Sequence, residues 1–235
     1  MAASFFDQFN VVRIIGGILT NSSIMMLILF SVILIGSCSY KLIPTRLQAL
    51  QEIIYTHFLG LVKDSTANKG TQYFILIITL FTFIAGLNLL GLFPYVFTPT
   101  AHVVITFGLS LSILIAVTIL GVTQYYWNFA SMMMPSGAPL ALAPLLVVIE
   151  TLSYLSRAIS LGVRLAANLS AGHLLFAILA SFGFAMISNG MLVLSLAPIL
   201  VMVFITILEI AVALIQAYVF CLLTTIYIND SINLH

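Results

Sequence analysis

The sequence predicts an all-α membrane protein of about six helices, among them one amphipathic surface helix and a long, strongly tilted helix hairpin. Three observations predict it. The 235-residue chain is 63% hydrophobic and only 6% charged, whereas a soluble domain carries about 25% charged residues. Its mean hydropathy is +1.26. From Gly70 to Ile149 there is no Asp, Glu, Lys or Arg at all. A water-soluble fold has no means of hiding that much apolar surface. The net charge of +1 provides no basic patch for nucleic acid. Cys38 and Cys221 lie in apolar segments and suggest neither a disulfide framework nor a metal site, and no cofactor motif is present. The start of the chain, with Asp7 before Arg13, lacks the basic region and cleavage site of a secretory signal and the Arg- and Ser-rich character of a transit peptide. Either the gene is read inside its own compartment or a presequence has been removed.

The elements form one polytopic domain, 1–235. Residues 1–23 are an N-terminal segment and 24–43 a first span, closed by Lys41, Pro44 and Arg46. In 46–63, Leu47, Leu50, Ile54, Phe58 and Leu61 recur at helical spacing against Gln48, Gln51, Glu52 and Lys63. That pattern fits an amphipathic helix at the membrane surface, and a soluble connector has an equal claim. Residues 73–93 and 103–127 are further spans joined by the Pro94–Pro99 turn. After a Pro- and Met-containing loop, 128–139, come two apolar stretches, 140–187 and 191–228. About 40 residues of helix extend roughly 60 Å, twice the roughly 30 Å hydrocarbon core. These two helices must therefore be tilted, bent or partly in the membrane plane. Lys41, Arg46, Lys63 and Lys69 cluster around one connection, which the positive-inside rule places on the cytoplasmic or matrix side. The Pro94 turn and the Ser188–Gly190 turn are then outside, and the 128–139 loop and the C-terminus inside.

The polar residues of the hairpin carry the chemistry. Glu150, Arg157 and Arg164 are seven apart and share one helical face with a drift of about 20° per step; Ser153, Ser160 and Asn168 fall on or near it. A guanidinium deep in a membrane helix costs about 2.5–3.5 kcal/mol on insertion scales and cannot shed its proton to avoid that cost. Such a charge marks a functional site; a structural, carbonyl-bonded arginine is the plain alternative. For Arg157 a structural or interfacial role is favoured over one in a proton path. The second long helix carries Glu209 and Gln216. In an antiparallel hairpin, residues at equal depth have a constant sum of numbers. That sum is near 380 for both Arg164 with Gln216 and His173 with Glu209. The hairpin thus predicts a deep Arg–Gln level and a His–Glu level further out, with Glu150 on the inner side. A histidine beside a carboxylate can titrate near neutral pH and pass protons, while a permanent positive charge repels them. Two half-paths separated by such a barrier conduct only if a mobile carrier ferries protons around it.

At these residues the chain resembles the a subunit (subunit 6) of the rotary F-type ATP synthase, mitochondrial type. The motifs are Ile149-Glu150-Thr-Leu-Ser-Tyr-Leu-Ser-Arg157, Leu161-Gly-Val-Arg164-Leu-Ala-Ala-Asn168 through Gly172-His173, and Ile207-Leu-Glu209 through Gln216-Ala-Tyr218. Asn88-Leu-Leu-Gly-Leu-Phe-Pro94-Tyr-Val-Phe-Thr-Pro99 and Phe6-Asp7-Gln8-Phe9 look like the mitochondrial branch. The resemblance implies a proton-translocating stator subunit of the Fo sector, not an enzyme on its own, in the mitochondrial inner membrane or, alternatively, a bacterial plasma membrane. It implies two aqueous half-channels serving the carboxylates of a rotating c-ring, with Arg164 as the essential charge. His173 and Glu209 would line the outer path and Glu150 the inner one. Asn168 and Gln216 would be polar neighbours of the arginine, and Arg157, Ser160 and Tyr218 accessory. Partners would be the c-ring proteolipids, the peripheral stalk and other synthase subunits, lipid and protons, with no nucleic acid. Three positions depart from many family members: His173 and Glu209 stand where many bacterial members place Glu and His, and Ala166 where an aromatic is common. A proton-coupled transporter or a respiratory-chain membrane subunit is the alternative. No internal repeat of the kind transporters carry is visible, and the four histidines are scattered rather than paired for haem.

Overall fold

The computed structural model describes residues 7–15, 19–37, 44–66, 70–93, 96–126, 143–191 and 193–232. Six α-helices follow a two-stranded ribbon: α1 Asn21–Ser37, α2 Arg46–Thr66, α3 Phe74–Gly91, α4 Val103–Tyr125, α5 Ala143–Ser188 and α6 Leu196–Ile232. The ribbon pairs β1 (Arg13–Ile15) with β2 (Leu19–Thr20), antiparallel; nothing in the apolar periodicity anticipated it. Four helices are long and apolar enough to cross a membrane, α3 (with the 3-10 turn before it), α4, α5 and α6. The chain is a multi-pass membrane protein.

The long hairpin is real helix. α5 has 46 residues and α6 has 37, or roughly 69 and 55 Å at 1.5 Å per residue. α5 ends where Gly190 adopts φ 76° and its N–H bonds to the Ile187 carbonyl, while Met191 N–H reaches Met186. This pair of bonds is the Schellman closure that a glycine permits. α6 begins at Leu196 rather than at residue 191. Pro198 falls in its first turn, where a missing N–H costs nothing. It runs on to Ile232, past the apolar stretch that ends at residue 228, because Asn229 and Asp230 continue the helix. The predicted first span corresponds to α1, which starts at Asn21 and is described to Ser37; at 17 residues it is shorter than the four helices long enough to cross. Its predicted end (38–43), Lys41, Lys69, Pro94, Trp127, the 128–139 loop, residues 140–142 and Phe6 of the N-terminal motif lie outside the described residues.

The chain forms two compact units, Met1–Ser39 with Phe83–Ile105 and Leu165–Tyr218, and Tyr40–Thr82 with Thr106–Arg164 and Val219–His235. In the first unit the core gathers Leu29, Ile84, Leu87, Leu165, Ala166, Leu169, Ala213 and Ala217. Small residues let its backbones close up, as apolar helices require without a hydrophobic drive between them. A Cβ at Gly86, for instance, would strike the Leu29 side chain. In the second unit α2 packs on α3 through aromatic rings, Tyr55 edge-on to Phe74 at 4.8 Å and Phe58 against Phe81 at 4.6 Å. Only the C-terminal part of the predicted amphipathic stripe is covered. Of its residues Phe58 is buried, Ile54 and Leu61 are half-buried, and Leu47 and Leu50 are exposed, an apolar end suited to lipid.

Candidate functional site

In the second unit, α5 is set by its contact with α4. Gly162 carries no side chain, and a Cβ there would lie 2.6 Å from Ser110 Oγ, 2.9 Å from Phe107 Cα and 3.0 Å from the Thr106 carbonyl. With Ala158 and Leu161 buried beside it, this contact turns the opposite face of the helix outward. Val163, Arg164 and Ser160 are exposed there. The Arg164 guanidinium donates to Ser160 Oγ at 3.3 Å. Among the described residues no carboxylate lies within ion-pairing distance of it. An apolar helix thus presents a permanent cation that, among the described residues, meets a hydroxyl rather than a carboxylate.

The predicted polar stripe drifts as its seven-residue spacing requires. Glu150 and Arg157 are half-buried, and Ser160, Arg164 and Asn168 are exposed. Arg157 is tied at both ends of its guanidinium, to Glu150 Oε1 at 3.8 Å and to Asp230 Oδ2 of α6 at 3.9 Å. Asp230 was not singled out from the sequence, yet the constant sum that pairs His173 with Glu209 also pairs Glu150 with Asp230. Tyr154, one turn from Glu150 and Arg157, has a buried hydroxyl without a hydrogen-bond partner among the described residues.

The first unit holds Asn168, His173, Glu209, Gln216 and Tyr218. Here the His–Glu level has physical form. Glu209 lies on α6 against the backbone of Gly172, so a Cβ at Gly172 would collide with its carboxylate. His173 is the next residue, half-buried, with Nε2 3.2 Å from Thr98 Oγ1. Glu209 Oε1 is buried and has no hydrogen-bond partner among the described residues. Buried polar atoms of this kind are normally met by ordered water or a moving partner. Asn88, fully buried, donates from Nδ2 to the Ala213 carbonyl at 3.2 Å, and its Oδ1 is likewise unmet. Near by in sequence, His102 stacks on Phe97 at 5.1 Å, and burial lowers its pKa. Gln216 and Tyr218 are half-buried. The predicted Arg–Gln level draws on both units, Arg164 from one and Gln216 from the other. Ala166 is wholly buried; its size bears on the packing of α5 and not on the exposed line of Arg164. Thr98 and Asn88 were outside the hairpin register, which locates residues of α5 and α6 only.

No cluster of His, Cys, Asp and Glu among the described residues could hold a metal. The arrangement offers proton exchange, ion pairing and a fixed positive charge.

The model of the ATP synthase A chain family matches residues 19–229. The chain is 63% identical over all 235 residues to the ATP synthase subunit a of Metridium senile, covering 100% of both chains. It is 42% identical to that of Marchantia polymorpha and 41% identical to that of Pelagibacter ubique, again covering 100% of each chain.

Proposed function

This chain belongs to the ATP synthase A chain family, and we propose that within the Fo sector it provides two aqueous half-channels separated by Arg164. As a member of the family it is a multi-pass, proton-translocating membrane subunit, works with other ATP synthase subunits and is not an enzyme on its own. In the finer reading, carboxylates of a rotating proteolipid c-ring pass the exposed line of Ser160, Arg164 and Asn168. The guanidinium favours the ionised carboxylate and, unable to deprotonate, keeps protons from running straight across. His173 and Glu209 load or unload the ring carboxylate from the outer side; Glu150 serves the inner side. Asn168 and Gln216 are polar neighbours of the arginine, and Arg157, Ser160 and Tyr218 are accessory. The compartment is the mitochondrial inner membrane, a reading that the 63% identity to the Metridium senile protein supports. The peripheral stalk holds the subunit still while the ring turns.

The observation that carries this reading is Arg164 itself: a permanent charge on an exposed apolar face, with Ser160 Oγ as its nearest recorded partner. Cysteines introduced in intact complexes test it. Asn168→Cys should cross-link to a cysteine placed one turn from the ring carboxylate, while a cysteine at buried Ala158 should not. Assembled complexes in which Asn168→Cys never captures a ring subunit would sink the proposal.

A further inference from the structure

Thr98 lies 75 residues from His173 in sequence, and its place in the fold gives it a task in the proton path. The residue is 7% exposed. Its Oγ1 sits 3.2 Å from His173 Nε2. The backbone around it is held from two sides. Pro99 follows, which favours extended conformation before it, and Thr98 has φ −99° and ψ 98°; its carbonyl then accepts from Ala101 N–H at 3.2 Å. The side chain itself needs Gly91. A Cβ on that glycine would collide with the Thr98 methyl and lie 3.1 Å from its Cβ. Two glycines thus seat the two halves of the level, Gly91 admitting Thr98 and Gly172 admitting Glu209.

We propose that Thr98 is a positioning residue for His173, holding the imidazole by its hydroxyl in each protonation state of the ring. The proposal rests on the reading of His173 as a member of the outer path. A hydroxyl is suited to this task because it both donates and accepts. It donates to a bare Nε2 and accepts from Nε2–H, so the ring keeps its orientation as its proton comes and goes. A backbone carbonyl would hold only the protonated nitrogen, and an ammonium only the bare one. Among the described residues the other titratable group at this level is Glu209 of α6, and His102 is the one on the loop that carries Thr98.

The test uses the intact complex in vesicles, with proton-driven ATP synthesis measured while the pH of each side is varied separately. Thr98→Val keeps the shape and removes the hydroxyl. Loss of one buried hydrogen bond should lower turnover about fivefold and shift the dependence on outer-side pH, leaving the inner-side dependence as in the native complex. Thr98→Ser should restore the native profile to within about twofold. If Thr98→Val complexes do not assemble, Thr98→Ala carries the same measurement, since it adds no bulk. Native turnover and outer-side profile in the variant lacking the hydroxyl would overturn the proposal, as would a loss that Thr98→Ser does not repair or a shift equal on both sides. His173→Ala is measured in parallel. A shift there with none for the Thr98 variants defeats this inference alone, and no shift for His173→Ala defeats the reading beneath it.

Discussion

α5 carries two kinds of polar chemistry along its length. Between Ala143 and Arg164 its titratable side chains other than Tyr154 are formally charged, Glu150, Arg157 and Arg164. Arg157 is ion-paired both with Glu150 and with Asp230 of α6, and Arg164 is turned out on an apolar face. Between Leu165 and Ser188 the helix has no Asp, Glu, Lys or Arg. Its one titratable group there is His173, half-buried, with Thr98 on its Nε2 and Glu209 against the preceding glycine. The difference separates two jobs. In the proposed mechanism the permanent charge is left where a ring carboxylate can meet it, and the groups proposed to exchange protons are half-buried. One helix does both because Gly162 and Gly172 each let a different neighbour come close, at positions ten residues apart.

The sharpest break in this comparison is to remove the permanent charge. Arg164→Ala should reduce ATP synthesis by assembled complexes to background. An opposite charge at a few ångströms lowers a carboxylate pKa by roughly 1–3 units, so without it the ring carboxylate stays protonated. Passive proton leak through the complex should rise as the barrier goes. The fold should survive, because Arg164 is exposed and, among the described residues, its hydrogen bond is to Ser160 Oγ. ATP synthesis at native rates by such complexes would remove Arg164 from the mechanism.

The enclosed groups provide the next test. His173→Glu or Glu209→His alone places two like groups at one level, which pushes their pKa values apart. Each should cost about a hundredfold in proton flux, the scale of losing one acid–base group. The double exchange restores one acid and one imidazole and should recover a large part of the loss. A double-mutant cycle in flux reads the coupling, and simple additivity would mean that the two residues act independently.

Much of this site is legible in sequence because an antiparallel helix pair converts residue number into depth. That rule matched Glu209 to the turn of His173, and applied to Glu150 it reaches Asp230. It has nothing to offer on Thr98 or Asn88, which come from another part of the chain and meet α5 and α6 through tertiary packing alone. The helices themselves are written in long apolar runs. Their ends are less so, since the start of α6 depends on where Pro198 is tolerated and the end of α5 on Gly190. The rotation of α5 about its axis was half legible. The seven-residue spacing defines a stripe, but which part of it is exposed depends on the backbone contact at Gly162, and a glycine in a sequence does not name its neighbour.

The smallest expected effect lies at the charged end of α5. Arg157 spans Glu150 and Asp230 at 3.8 and 3.9 Å, with side chains 40%, 44% and 28% exposed. Pairs that long and that open contribute about 0–1 kcal/mol each, so losing one changes turnover by no more than about fivefold. Glu150→Gln removes one carboxylate and leaves Asp230 to hold Arg157. It should slow turnover about two- to threefold and shift its dependence on inner-side pH, since a carboxylate at the mouth of the path raises proton availability without being the obligatory carrier. Asp230→Asn should do the same, and the two changes together should cost more than their product, because Arg157 then loses both partners. Direction of access is read separately. The thiol of Glu150→Cys should react with a charged, impermeant reagent supplied from the matrix side and stay unmodified when the reagent is outside. Modification from the outer side alone would reverse the topology, and with it the assignment of Glu150 to the inner path.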